Sequence, residues 1–264
     1  MLKKFIETKR GKVTYWVEKN NNSNKCIVFT HGVTADHTLF DKQINSWQKE
    51  YTVITWDMPL HGESRKYEKF TFLNAATDLK AILDKEKINH AVMAGQSAGG
   101  YLVQIFSKMY PRMVDAFIGI DTTPLGKEYY KKSELFIVRH FIDFARLYPY
   151  KYYCKAAARA ATYTKESYES FYNTLKKLGK VGMIKCTGAI YRDFVNYDEV
   201  SCRCPVLLLL GENDVIGYVK KYNEIWHEKR GYPLIILPKA GHNSNYDNYQ
   251  EFNEVVDKFL KELI

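Results

Sequence analysis

Short, unbroken runs of Val, Ile, Leu and Phe recur along this chain, at 26–30, 52–55, 91–94, 116–120, 205–211 and 233–237. A strand with one wet face alternates apolar and polar residues. A run without that alternation belongs in a sheet covered on both sides, which in practice is a parallel one. Helical patterns fill the gaps, notably 72–85 and 98–109; in the first, Leu73, Ala76, Leu79 and Ile82 fall on one face at helical spacing. Strands alternating with helices predict an α/β fold: a mostly parallel central sheet flanked by helices. The segment 5–18, with Arg10-Gly11-Lys12 at its centre, reads as an N-terminal hairpin.

The rhythm stops after Pro124. From 127 to about 197 no strand is evident, and eleven of the 21 tyrosines lie among helical stretches between 129 and 197. It resumes at Pro205 and closes with helices near 218–229 and 249–263. This organisation predicts a core of residues 1–124 and 200–264, with 125–199 inserted as a helical cap over one sheet edge. Neither an internal repeat nor a long low-complexity linker interrupts it.

Charge narrows the classes of partner. The net charge is +9, and residues 125–200 carry 14 Lys/Arg against 8 Asp/Glu. Such a surface could attract nucleic acid, anionic lipid or an acidic substrate. No RNP, zinc-finger or helix-turn-helix pattern accompanies it, so nucleic acid is not an expected partner. Contact between the basic cap and a membrane is left open, as is the oligomeric state. There is no apolar run of about 18 residues to span a bilayer, and no apolar core follows the charged MLKKFIETKRGK start as a secretion signal would. The five cysteines are scattered, with one C-x-C and no zinc spacing, which suggests a reduced, cytoplasmic location and no metal.

The chemistry concentrates where apolar runs end. In Met93-Ala-Gly-Gln-Ser-Ala-Gly-Gly100 the pattern G-x-S-x-G follows a strand and opens a helix, the setting of a nucleophile elbow. The same spelling also arises in plain glycine-rich turns, so Ser97 needs partners. A neutral serine needs a base. Of seven histidines, His242 alone sits just after a late apolar strand and before the last helix. His90 lies at the wrong strand end, His140 and His227 lie on helices, and His31 reads as scaffold. The base needs an acid to orient it. Asp214, after the strand at 205–210, is the first choice and Asp121 the runner-up; Asp57 reads as a turn former and Glu212 as a solvated charge. An oxyanion would be met by the N–H groups of Ala98 and Val33, with Gly32 allowing close approach. His37 and Gln96 are candidates for the substrate pocket. The order Ser97, Asp214, His242 is that of one serine-hydrolase architecture and not of the chymotrypsin or subtilisin types.

With Phe29-Thr-His-Gly-Val33, Asp57-Met-Pro-Leu-His-Gly-Glu-Ser64, Gly95-Gln-Ser-Ala-Gly99, Gly211-Glu-Asn-Asp-Val215 and Gly241-His-Asn243 in this order, the chain resembles the α/β-hydrolase superfamily over nearly its whole length. The resemblance implies a Ser97–His242–Asp214 triad, a Val33/Ala98 oxyanion hole and no cofactor. Relatives commonly show D-x-P-G-H-G-x-S at the second motif, where this chain has Leu60 for the first glycine, and histidine before the nucleophile, where it has Gln96. Serine instead of aspartate at position 97 argues against haloalkane dehalogenase and epoxide hydrolase chemistry. The expected activity is hydrolysis of a small-molecule carboxylic ester through an acyl-enzyme. Alternatives on the same scaffold are a C–C bond hydrolase, a lyase resembling the menaquinone-pathway synthase, and a cofactor-free perhydrolase. A non-catalytic ligand-binding protein is the remaining alternative.

Overall fold

The computed structural model describes residues 1–263. Its strands are β1 (Leu2–Thr8), β2 (Gly11–Glu18), β3 (Cys26–Thr30), β4 (Thr52–Trp56), β5 (Ala91–Gln96), β6 (Val114–Ile120), β7 (Val206–Gly211) and β8 (Leu234–Leu237). They form one sheet in the order β1-β2-β4-β3-β5-β6-β7-β8. The β1–β2 hairpin joins antiparallel to β4, and every pairing from β4 through β8 is parallel.

All residues of β3, β5 and β7 are buried, yet their side chains still divide by face. Val28, Met93 and Leu208 enter one apolar cluster. Phe29, Ala94 and Leu209, each one residue later, enter the other. Two-residue periodicity therefore survives in strands that show no polar alternation. β8 departs from the expectation. Ile235 and Ile236 are 36% and 44% exposed, because β8 is an edge strand paired only to β7.

The helices of the core are α1 (Asp41–Trp47), α2 (Phe72–Glu86) and α3 (Ala98–Met109). Three more follow β6: α4 (Lys132–Ala145), α5 (Tyr150–Ala161) and α6 (Lys165–Phe194). The chain ends through α7 (Val219–Arg230), α8 (Ser244–Asp247) and α9 (Tyr249–Glu262). α2, α3 and Trp226 of α7 cover one sheet face, while Trp47 of α1 and Phe252, Val256 and Leu260 of α9 cover the other. The Thr71 hydroxyl caps α2 by accepting from Asn74 N at 3.0 Å, and Lys87 ends it in a left-handed turn; such a cap is worth about 1 kcal/mol. The inner stripe of α2 contains Ala76, Leu79 and Ile82 as expected but not Leu73. Phe72, Ala75, Ala76, Leu79, Ile82 and Leu83 are buried, while Leu73 is 47% exposed. Phe72 occupies the inward position in the first turn, which rotates Leu73 toward water.

Between β6 and β7 the described residues contain α4, α5 and α6 and no strand. α6 is broken at Gly179 (φ 75°, ψ 164°), so its span comprises two helices. The second carries Met183, Cys186, Ile190 and Phe194 into the core, joined by Ile142 of α4. The helical block thus packs onto the sheet layers through one side. Because β3 to β8 run parallel, their C-terminal ends share one edge. There the chain delivers residues 31–33, 97, 121, 214 and 242.

Candidate active site

Ser97 follows the last residue of β5 and precedes α3, with φ 50° and ψ −119°. A non-glycine residue held there costs of order 1–3 kcal/mol and persists only where its surroundings enforce it. They do so here. Ser97 N donates to Ile120 O at 2.9 Å, and Ser97 O accepts from Thr122 Oγ1 at 2.8 Å and Gly100 N at 2.9 Å. A Cβ at Gly99 would lie 2.2 Å from the Thr30 carbonyl oxygen, so only glycine allows α3 to start this close to β3. The side chain of Ser97 is left at the N-terminus of α3, where unpaired N–H groups and the helix dipole favour negative charge. The Ala98 backbone is buried beside it.

The turn after β3 closes on the same point. A Cβ on Gly32 would stand 3.0 Å from Ser97 Cβ and 2.2 Å from Gln96 Oε1. Residue 32 therefore lies against the elbow, with Val33 next to it. His31 holds this turn in place: its Nδ1–H donates to Gly32 O at 2.8 Å and its Nε2 accepts from Met58 N at 3.0 Å. Burial lowers its pKa to about 4, so the ring is neutral and acts as a scaffold. His61 packs edge-on to it at 5.0 Å, with burial lowering its pKa to about 3. Leu60, at the position where a glycine was expected, adopts φ 75°. The turn thus carries a leucine in the left-handed region, held by Leu60 N donating to Ser64 O at 2.9 Å.

Asp214 and His242 arrive on adjacent loops. The turns after β7 and β8 are laced together by Glu212 N to Leu237 O at 2.9 Å and Asn213 N to Ala240 O at 2.8 Å. His242 Nδ1–H then donates to Asp214 Oδ2 at 2.8 Å, while Asp214 Oδ1 accepts from Ile216 N at 2.8 Å. The Asp214 side chain is fully buried. Burial opposes charge on His242, but Asp214, its hydrogen bond and nearby Asp121 outweigh it and raise the imidazole pKa above the usual value. No hydrogen bond joins the Ser97 hydroxyl to His242 among the described residues. In unliganded enzymes such contacts are often long and tighten with substrate.

Each residue from 241 to 244 is held by a different element. Gly241 N donates to Asp247 Oδ2 at 3.0 Å. His242 O accepts from Gln96 Nε2 at 2.8 Å. Asn243 N donates to Ala161 O at 2.9 Å. Ser244 N and Oγ donate to Asp121 Oδ2 at 3.1 and 2.5 Å. Gln96, one residue before Ser97, thus uses its amide to hold the histidine loop. Asp121, the runner-up acid, is fully buried and spends its other oxygen on Gly211 N at 2.7 Å. Burial and the neighbouring Asp214 charge hold its carboxyl above the ordinary range.

Sequence reasoning did not find Asp247. Besides Gly241 it accepts from Tyr163 N at 2.9 Å and from Thr164 N and Oγ1 at 2.8 and 2.9 Å, tying the histidine loop to the α5–α6 junction. Its only signal was a polar Asp-Asn pair before the last helix. His37 stacks on Trp16 (centroids 3.4 Å apart) and its Nδ1–H donates to Asp57 Oδ1 at 2.8 Å. Burial disfavours its charge, but the bond to Asp57 outweighs this and raises its pKa. No cluster of three or more His, Cys, Asp or Glu among the described residues is arranged to hold a metal.

Comparison with known proteins agrees with the fold. A family model described as alpha/beta hydrolase fold matches residues 25–174. The chain is 34% identical over 97 residues to 3-oxoadipate enol-lactonase 1 of Acinetobacter baylyi, a stretch covering 36% of this chain and 36% of that enzyme. The matched stretch therefore spans about a third of that relative's length. It is 23% identical to the AB hydrolase superfamily protein YisY of Bacillus subtilis across 97% of this chain and 98% of that one. Among solved structures, a hydrolase from Pseudomonas aeruginosa superposes with a TM-score of 0.83 at 17% identity, over 98% of each chain.

Proposed function

Because the chain belongs to the α/β-hydrolase fold family, we propose that it is a serine carboxylic-ester hydrolase built on Ser97, His242 and Asp214. The observation that carries this reading is the His242–Asp214 hydrogen bond on a loop bound by Gln96, the residue adjoining Ser97. With Nδ1–H committed to Asp214, the Nε2 of His242 is the nitrogen available as base. Ser97 Oγ attacks the acyl carbonyl as its proton passes to Nε2. Charge on the carbonyl oxygen is met by the N–H groups of Ala98 and Val33, each such donor being worth about 100- to 1,000-fold in rate. His242 then protonates the leaving alcohol, and a water deprotonated by the same nitrogen releases the acid. The helical block, residues 125–199, serves as a cap above these groups.

The A. baylyi relative is named as a lactonase, and a lactone is a cyclic ester, so linear and cyclic esters both belong to the expected substrate class. Labelling with a fluorophosphonate probe tests the reading. Wild type is expected to label and Ser97→Ala is not; correctly folded wild type that stays unlabelled would overturn an activated serine. A panel of p-nitrophenyl esters and lactones then separates an ester hydrolase from a C–C lyase, which should turn over all of them poorly.

A further inference from the structure

α4 is apolar on two opposite faces. Leu135, Val138, Ile142 and Ala145 pack inward against the core. At about 100° per residue, Phe136, Ile137, Phe141, Phe144, Leu147 and Tyr148 form a second stripe along the outer side of α4 and into the turn beyond it. This stripe is in water: Phe136 is 61% exposed, Phe144 70% and Leu147 76%. A helix that is hydrophobic all round is ordinarily buried all round, and a contiguous exposed apolar patch marks an interaction surface.

The charges around the stripe identify what covers it. Lys132, Arg139, Arg146, Lys151, Lys155 and Arg159 are all exposed on α4 and α5. None forms an ion pair among the described residues. The two acids of this region are engaged elsewhere, Glu134 with Lys221 at 3.2 Å and Asp143 with His140 at 3.0 Å and Arg192 at 3.6 Å. A second copy placed face to face would set six unpaired cations against six more, which disfavours a two-fold contact. An anionic lipid surface satisfies both features. Its acyl boundary takes the Phe and Leu side chains, its phosphates take the cations, and Tyr148 and Tyr152 suit the interface between them.

We propose that the outer face of α4, continued into α5, is a docking surface for an anionic lipid bilayer. The helix lies in the headgroup plane with Phe136, Phe144 and Leu147 inserted and the flanking lysines and arginines on phosphate. This binding is independent of the Ser97 chemistry.

Co-sedimentation of the full chain with vesicles tests it. Wild type is expected to pellet with vesicles of phosphatidylcholine containing about one-third phosphatidylglycerol, to stay in solution with phosphatidylcholine alone, and to be released by about 0.5 M salt, which screens surface charge. The double variant Phe144→Asp/Leu147→Asp should lose about tenfold or more in partitioning, and so should Arg139→Glu/Arg146→Glu. All four positions are solvent-exposed, so circular dichroism and Tm should match wild type. Ser97→Ala should bind vesicles normally, and both double variants should label with fluorophosphonate in vesicle-free buffer, which separates failure of docking from failure of the catalytic reading. Wild type that ignores anionic vesicles, or double variants that bind as wild type does, would overturn the proposal. So would a wild-type dimer in sedimentation velocity that Phe144→Asp/Leu147→Asp dissolves, since a second copy would then be the occupant.

Discussion

In the proposed mechanism Ser97, Asp214 and His242 do different physical work, and separate measurements distinguish them. Asp214→Asn keeps the size of the side chain but offers His242 an amide in place of a carboxylate, so the ring loses the partner that fixes its tautomer. The expected loss in kcat is about 1,000- to 10,000-fold with KM little changed, measured on the best ester of the panel. Under the same proposal His242 must be neutral to accept a proton from Ser97. Since Asp214 and Asp121 raise the pKa of His242 above its ordinary 6.5, kcat/KM should rise with pH through a midpoint above that value. A midpoint at or below 6.5 would show that the carboxylates do not dominate over burial. Gly32→Ala would push a methyl group to within 2.2 Å of Gln96 Oε1, disturbing the turn that carries Val33. A loss of about 100-fold in kcat is expected if that N–H meets the oxyanion.

At the scale of elements, the loop 241–244 is held at successive residues by Asp247, Gln96, Ala161 and Asp121. Asp247→Ala removes four hydrogen bonds that tie Gly241, Tyr163 and Thr164 together. Tm should fall, and kcat should fall by about tenfold while KM changes less, because a base misplaced by an ångström loses its geometry. The parts of this architecture that were legible in the sequence share one cause. β3 and α3 begin and end where expected because an apolar run meets a Gly-rich or polar turn at each boundary. Asp214 and Asp121 both end strands, so local pattern ranks Asp214 ahead of Asp121 without excluding the latter. Only the cross-loop bonds decide which one meets His242. Leu73 of α2 and the isoleucines of β8 are exposed against expectation because the identity of neighbouring elements, rather than local pattern, decides which side is wet. The limits of α4, α5 and α6 were similarly hidden. Tyr and Phe occupy both their inner and outer faces, so hydrophobic spacing carries no single direction there.

Across the whole molecule, the N-terminal hairpin is clamped to α2 by two carboxylates, Asp78, which pairs with Arg10 at the hairpin turn, and Glu86. Glu86 has a fully buried side chain that accepts from Lys4 at 2.8 Å and Tyr15 Oη at 2.5 Å and pairs with Lys19 at 3.0 Å. Burial resists its charge, but these donors prevail and lower its pKa to about 2 from an ordinary 4.5. A depressed carboxylate stabilises the fold at pH above the unfolded value. That contribution is lost as pH falls from about 4.5 to about 2. Glu86→Gln should therefore unfold at lower Tm than wild type at pH 7, with the two curves converging as pH approaches 2. The backbone stretch 161–164 joins distant parts in another way. Ala161 is the last residue of α5 and holds Asn243; Tyr163 and Thr164 hold Asp247, which holds Gly241. The residues on either side of the imidazole are thus fastened to the far end of the helix whose near end carries Lys151 and Tyr152. The end of α5 is thus one of the fixed points from which the histidine loop hangs, and loosening that end would free the loop without touching any side chain of the candidate site.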